Sequence, residues 1–190
     1  ALIYAHHPGA NISDARNAAL DLAEADWIAL IDDDETADPD WLCALIARQS
    51  RTGADAIFGP SRAIYPHAAP RWIRRADLHT QHPQTRRGRV ETGHSCNALL
   101  RWGDAPWRME RFDLTRGRTG GEDTEFFFRL HRLGATYAIA RDAVVREEVP
   151  TDRLRLRWLL SRRFRAGQSY ASVATTPQVR KRLFLSAAAK

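Results

Sequence analysis

The sequence predicts an α/β domain of Rossmann-like character, with a mostly parallel central sheet flanked by helices. Three observations carry that expectation. Strand-like and helix-like segments alternate along most of the chain, several strand-like segments are short continuous apolar runs, and a cluster of acids directly follows one of them. At 190 residues, with 44% apolar and 27% charged, the chain has the length and composition of one globular domain with its own core. No apolar run approaches the roughly 20 residues that span a bilayer.

Residues 2–5 read as a strand, followed by a turn at His6-His7-Pro8-Gly9. Asn11 or Ser13 can cap a helix in which Ala15, Ala19, Leu22 and Ala23 recur at helical spacing. Trp27-Ile28-Ala29-Leu30-Ile31 is a continuous apolar run, the pattern of a strand buried on both faces, and it stops at Asp32-Asp33-Asp34-Glu35. Asp38 as cap and Pro39 at the first helical position start a helix reaching about Ser50. Residues 54–60 form another strand. Residues 61–90, rich in Pro, His and Arg, read as an irregular excursion.

Further along, 95–102 is a strand, 105–119 a loop, and 122–133 a helix closed by Gly134, with Phe126, Phe127, Leu130 and Leu133 in the core. Residues 136–140 and 143–147 read as a strand pair. An Arg-rich amphipathic helix covers about 152–171, with Leu154, Trp158, Leu159 and Phe164 inward, and a last helix follows Pro177. Two units result: 1–150 as a partial catalytic domain and 151–190 as a basic helical extension.

Charge follows the same division. The net charge is +6, yet ten Lys or Arg face a single Asp from Thr151 onward, while the preceding 150 residues hold 19 basic and 22 acidic groups. Such a tail meets something anionic, and charge alone leaves phosphate, nucleic acid and anionic lipid open. Cys43 and Cys96 have no ligand spacing, which points to reduced thiols and a cytosolic setting. His6, His7, His67, His79, His82 and His131 also lack ligand spacing and read as surface or loop residues. Trp41, Trp72 and Trp107 are candidate sugar-stacking platforms, although Trp41, on a helix, is better read as core.

Two acidic sites carry chemistry. In open α/β sheets ligands bind beyond the carboxyl ends of strands, where Asp32, Asp33 and Asp34 stand. Adjacent carboxylates repel, and a divalent cation relieves that repulsion while bridging to substrate phosphates. A solvated turn before the next helix is the plain alternative. The second site is Gly120-Gly121-Glu122-Asp123. Two glycines let the backbone approach a ligand, and a carboxylate at the helix start can take a proton from a substrate hydroxyl. Ordinary favourable capping of that helix by its acids explains the same residues.

Taken together and in order, these pieces resemble the family 2 glycosyltransferases, which have a nucleotide-diphospho-sugar transferase (GT-A type) fold. The similarity is greatest to bacterial exopolysaccharide enzymes of the succinoglycan-biosynthesis type. The matching stretches are Asn-Ile-Ser-Asp-Ala-Arg-Asn at 11–17, Trp-Ile-Ala-Leu-Ile-Asp-Asp-Asp-Glu at 27–35, and Asp-Trp-Leu at 40–42. Thr92-Gly93 with Asn97, Gly-Gly-Glu-Asp at 120–123, Glu147-x-Val149-Pro150 and Arg162-Arg163-x-Arg165-x-Gly167 follow.

The resemblance implies roles. Asp32 and Asp34 fall on the D-x-D motif, with Asp32 facing the ribose or the metal, Asp33 beside it on the donor side, and Asp34 the firmest ligand to Mg²⁺ or Mn²⁺. Glu147 is the candidate third ligand. Asp123, of the pair Glu122-Asp123, is the general base in a single displacement with inversion. Arg16 and Asn17 shape the nucleotide pocket, Gly93 and Asn97 line the sugar or acceptor side, and Arg162, Arg163 or Arg165 offset diphosphate charge. The tail arginines read equally as an anionic-membrane contact or a solvated face.

The implied donor is a nucleotide-sugar, with UDP as the expected carrier. The implied acceptor is a lipid-linked saccharide, met in the cytoplasm or at the inner membrane's cytoplasmic face. Family members open with a strand and turn that hold the base. Those precede Ala1, and the chain lacks an initiator Met, so the expectation is a truncated domain with its first strands missing and an exposed sheet edge. His94-Ser95-Cys96 is more polar than the family pattern. The rivals are a metal-dependent nucleotidyltransferase or phosphohydrolase, a non-catalytic remnant, and a nucleic-acid-binding module. The last is disfavoured because the excess of basic charge is confined to the tail beside no binding motif, so no nucleic-acid partner is expected.

Overall fold

The computed structural model describes residues 2–6 and 8–174. His7 and the helix expected after Pro177 lie outside the described residues. The elements are α1 (Ile12–Leu22), β1 (Trp27–Ile31), β2 (Glu35–Ala37), α2 (Trp41–Thr52), β3 (Ala56–Phe58), β4 (Ser61–Ile64), α3 (Arg71–Ala76), β5 (Asn97–Arg101), α4 (Glu122–Arg132), β6 (Tyr137–Ile139), β7 (Val145–Glu148) and α5 (Leu156–Ala174), with a 3-10 turn Thr151–Arg153 before α5.

Four strands form the main sheet in the order β1-β5-β3-β6. β3 and β6 are parallel, while β5 runs antiparallel to both β1 and β3. Three strands therefore share one direction and β5 is reversed between them, which makes the sheet mixed. A second sheet has the order β2-β7-β4. The expected strand pair of 136–140 with 143–147 is corrected by this topology. β6 lies against β3 in the main sheet, and β7 lies between β2 and β4 in the other.

Strand alternation sorts the core onto two faces. Phe58, Ala98 and Leu100 face α4, where they meet Phe126, Phe127, Leu130 and the loop residues Trp102, Trp107 and Phe112. Ile57, Leu99 and Ala138 face Leu45 of α2. Edge-to-face contacts of Phe58 with Phe127 and Tyr137 tie sheet to helix. Leu133, expected inside, lies at the exposed end of α4, and Trp107 is buried core rather than an open sugar platform.

Several expectations change for local reasons. No residue of β1 is fully buried, because the strand sits at the edge of the main sheet and only β5 pairs with it among the described strands. Its apolar run reads like that of a central strand although the position is peripheral. Residues 2–5 are not a strand either, since no described edge pairs with them and Leu2 and Tyr4 lie open to solvent. Asp38 does not cap α2. It forms a bidentate pair with Arg146 at 2.6 and 2.9 Å, tying the helix start to β7, and Asp40 precedes α2 without a side-chain cap bond. The 61–90 excursion contains β4 and α3. His79, expected at the surface, is buried between Tyr65, the Arg153 carbonyl and a stacked Trp158.

Long-range polar ties set the parts that meet at the site. Asn11 caps α1 by accepting from the Ser13 and Asp14 amides at 3.0 and 3.3 Å. Asn17 exchanges two bonds with the Phe112 backbone, at 2.9 and 2.7 Å, and so fixes the 105–119 loop to α1. From α4, Arg129 grips Glu125 at 2.8 Å, the Arg111 carbonyl at 2.6 Å, and Glu110. α5 lies against α4, with Tyr170 against Phe128 and Arg132 donating to the Val173 carbonyl.

Candidate active site

The two acidic motifs, about 90 residues apart in sequence, converge on one cation. Arg16 projects from α1 and donates through Nη1 to Glu122 at 2.7 Å and to Asp123 at 2.8 Å. Its Nη2 donates to Asp32 at 3.1 Å. Each partner reaches this point for a local reason. α1 is held by its Asn11 cap and the Asn17 clamp, Asp32 terminates β1, and Glu122 and Asp123 open α4. Gly120 and Gly121 make the sharp approach to α4 with φ of 85° and 87°, a region that favours glycine. A Cβ on Gly121 would also overlap Ser169 of α5.

The electrostatics follow from partial burial. Burial works against the Arg16 cation, but Asp123, Asp32 and Glu122 outweigh it and hold the guanidinium above its ordinary pKa. Burial raises the Asp32 carboxyl, Arg16 opposes that rise, and Asp123 and Asp34 add to it. Asp123 also accepts from the Ser95 hydroxyl at 2.8 Å and from the Ser95 amide at 3.3 Å. Its two oxygens are thus fixed from the α1 side and from the segment leading into β5. Glu122 Oε2 is buried without a hydrogen-bond partner among the described residues, an acceptor available to an incoming donor.

The remaining expected site residues divide. Asp33 and Asp34 are exposed on the turn between β1 and β2, with Asp34 within electrostatic reach of Asp32. Glu147 lies across from Glu35 in the β2–β7 pair and accepts from Arg153 at 2.6 Å. Arg162 is half-buried, reaches Glu147 electrostatically and packs 5.2 Å from the Trp158 ring centre. Burial lowers its pKa, Arg153 and Arg163 add to this, and Glu147 opposes it. It makes no salt bridge among the described residues, which suits a partly desolvated cation to an anionic ligand.

Arg163 instead donates to the Leu78 carbonyl at 3.0 Å, and Arg165 is exposed on α5, so neither is brought to the acidic cluster. Three expected pocket-lining residues are built into the scaffold. Asn17 is spent on the Phe112 backbone. Asn97 is 1% exposed, donates to the Pro60 and Ala143 carbonyls at 2.9 and 2.8 Å, and accepts from Trp41 Nε1 at 2.8 Å. Gly93 is glycine because a Cβ would overlap the Phe58 ring. Small or polar residues in a motif read as ligand contacts, and here backbone clamping and close packing use them up.

Two further residues emerge from the geometry. Ser95, the polar residue that stood out in 94–96, positions Asp123. Glu35 enters through a strand register that three residues of sequence do not announce. Burial lifts its carboxyl from 4.5 to about 7, with Asp32 and Glu147 adding to the rise. A folded-state pKa above the unfolded value means the native chain holds the extra proton, so stability falls as pH rises from about 4.5 to about 7. Glu35→Gln is expected to flatten that slope and raise the melting temperature at pH 8, read by thermal melts in EDTA. An unchanged slope would place the burial cost elsewhere.

A divalent cation can be tested against these donors. Among the described residues no group of three or more His, Cys, Asp or Glu is arranged to hold a metal. A protein-only cage therefore does not fit. The sparser mode does fit, because Mg²⁺ commonly takes one or two carboxylates and completes its shell with water and phosphate. Asp32 and Asp34 on the one turn would be that pair, with Asp32 shared with Arg16, while Glu147 accepts from Arg153 on the second sheet.

Comparison with known proteins agrees with the architecture. Residues 2–104 match the family described as Glycosyl transferase family 2, a stretch that includes Arg16 and the 32–34 turn and ends before Asp123. The chain is also 47% identical over 169 residues to the succinoglycan biosynthesis protein ExoM of Rhizobium meliloti (strain 1021). That similarity covers 89% of the chain and 55% of the relative, so the chain spans about half the length of the curated relative it matches.

Proposed function

The chain belongs to glycosyltransferase family 2, and from that premise we propose that it transfers a sugar from a nucleotide-diphospho-sugar, with UDP the expected carrier, to a saccharide acceptor in exopolysaccharide synthesis. The observation that carries this reading is the convergence of Asp32, Glu122 and Asp123 on Arg16. It supports the reading because Asp32, proposed for the donor side, and Asp123, proposed as the base, share one cation. Similarity to a protein named for succinoglycan biosynthesis supports the polymer class.

In the proposed step, Asp123 takes the proton of an acceptor hydroxyl. The oxygen forms a bond to the anomeric carbon from the face opposite the diphosphate. The bond from that carbon to the diphosphate oxygen breaks, the electron pair leaves with the nucleoside diphosphate, and configuration inverts. A divalent cation on Asp32 and Asp34 would offset charge on the leaving group. Arg162 contributes a cation on the same side as Glu147. Ser95 and Arg16 hold the Asp123 oxygens in place before the acceptor arrives. The acceptor is proposed to be lipid-linked and the setting cytoplasmic, at the membrane face. Among the described residues no helix is long and apolar enough to cross a membrane.

The test is nucleotide release from a panel of UDP-, GDP- and dTDP-sugars with Mg²⁺ or Mn²⁺, with and without membrane lipid extract. Metal-dependent release from one donor class is expected. Release of sugar 1-phosphate in place of nucleoside diphosphate would instead identify transfer of the nucleotidyl group.

A further inference from the structure

Helix α5 is amphipathic in two senses. One side is built into the domain: Leu159 and Val173 are buried, Trp158 stacks on His79, and Arg162 is half-buried toward Glu147. A different side carries Leu156, Leu160 and Phe164, four residues apart on successive turns, at 56%, 62% and 68% exposure. Such an open leucine and phenylalanine stripe costs solvation unless something covers it, and none of these three is buried by the described residues.

The surroundings of the stripe state what would cover it. Arg157, Arg163 and Arg165 are exposed on the same helix and Arg155 on the bend just before it, and no Asp or Glu occurs from Arg153 to Ala174. The neighbouring α3 repeats the chemistry. Trp72 is half-exposed, and with Arg71, Arg75 and Ala76 it lines an open cavity of about 530 Å³. The two helices are tied together, since Arg163 donates to the Leu78 carbonyl just past α3 at 3.0 Å. Apolar side chains whose charged neighbours on the helix are all guanidinium groups, with an indole nearby, fit a surface that is greasy beneath and anionic above.

We infer that the exposed face of α5, with α3 beside it, docks on an anionic lipid bilayer. The leucines and Phe164 enter the headgroup boundary while the arginines pair with lipid phosphates. The same helix packs on Gly121 through Ser169 and presents Arg162 toward Glu147, so docking places the acidic cluster close to the bilayer. This rests on the proposed transfer only for its purpose, delivery of a membrane-borne acceptor. Lipid binding itself is read without turnover, so the two readings fail separately.

The experiment is co-sedimentation of the chain with vesicles of phosphatidylcholine alone and of phosphatidylcholine with about 30% phosphatidylglycerol, at low and high salt. Binding at least roughly tenfold stronger to the anionic vesicles, and weakened by salt, is expected. Leu160→Ser with Phe164→Ser should lose most of it while the melting temperature holds, because both side chains are already exposed. Arg157→Gln with Arg165→Gln should reduce it and its salt dependence together. The inference is overturned by absent binding, by equal binding to both vesicles, or by indifference to the Leu160 and Phe164 changes. Concentration-dependent dimerisation abolished by Leu160→Ser would overturn it in favour of a second copy as the covering partner.

Discussion

Asp123→Asn is expected to lower sugar transfer by about two to four orders of magnitude, the usual contribution of a positioned general base. The substitution is nearly isosteric. An amide oxygen in place of Oδ1 can still accept from Arg16 and from the Ser95 hydroxyl, which lie at 2.8 Å each. Only the bond from the Ser95 amide, at 3.3 Å, meets an NH₂ group instead of an acceptor. The fold and the nucleotide side should therefore survive, and nucleotide affinity should change little while kcat falls. Transfer kinetics and nucleotide binding measured on the same preparation separate these effects. Full activity in the variant would remove Asp123 from the role of base.

The second large effect concerns stability. Arg16→Met is expected to cost about 3–5 kcal/mol, because it leaves partly buried carboxylates facing one another without their common cation. The Arg16, Glu122 and Asp123 side chains are only 14%, 10% and 17% exposed, so water cannot take over the role of the guanidinium fully. For a chain of this size that corresponds to a fall in melting temperature of roughly 10 °C. The sign with pH follows directly. Burial already raises the Asp32 carboxyl and Arg16 opposes that rise, so without Arg16 Asp32 holds its proton to still higher pH in the folded state, and acidification should restore stability to the variant more than to the parent. Melting curves across pH test this. A variant as stable as the parent at pH 8 would show the cluster to be unimportant for folding.

These two residues also show what sequence order can carry. The helix that begins at Asn11 and the one that begins at Glu122 were legible from cap residues and apolar spacing, because both signals are local. The acidic turn after an apolar strand and the acids after two glycines were legible as separate features. That Arg16 joins them was not, since three side chains must meet across about 100 residues of chain, and only the tertiary fold sets that distance. Family resemblance placed Arg16 near the nucleotide without indicating its carboxylate partners.

Strand position was harder to read than strand existence. The apolar run of β1 gave the element correctly and its burial wrongly, because hydrophobicity does not say which neighbours are present. β2 and β7 are short, and their register, which sets Glu35 opposite Glu147, follows from the pairing and not from any periodicity. Asn17, Gly93 and Asn97 illustrate a different limit. A conspicuous small or amide residue near a motif can serve the ligand or the backbone, and only the hydrogen-bond partners decide. Here Asn17 bonds the Phe112 backbone, Asn97 bonds the Pro60 and Ala143 carbonyls, and Gly93 packs against the Phe58 ring. Of the residues expected inward, Leu159 is buried, Trp158 stacks on His79 and Leu154 is partly buried, whereas Phe164 points outward, and that outward residue leads to the lipid surface.

The central claim is that the 32–34 turn and the Arg16 cluster together receive a metal-bound nucleoside diphosphate. Calorimetric titration of the chain with UDP, in the presence and absence of Mn²⁺, tests it most directly, with Asp34→Ala as the paired variant. The account predicts binding heat that requires Mn²⁺ and is lost in Asp34→Ala. Binding of equal strength without metal, undiminished affinity in Asp34→Ala, or no binding under either condition would contradict it.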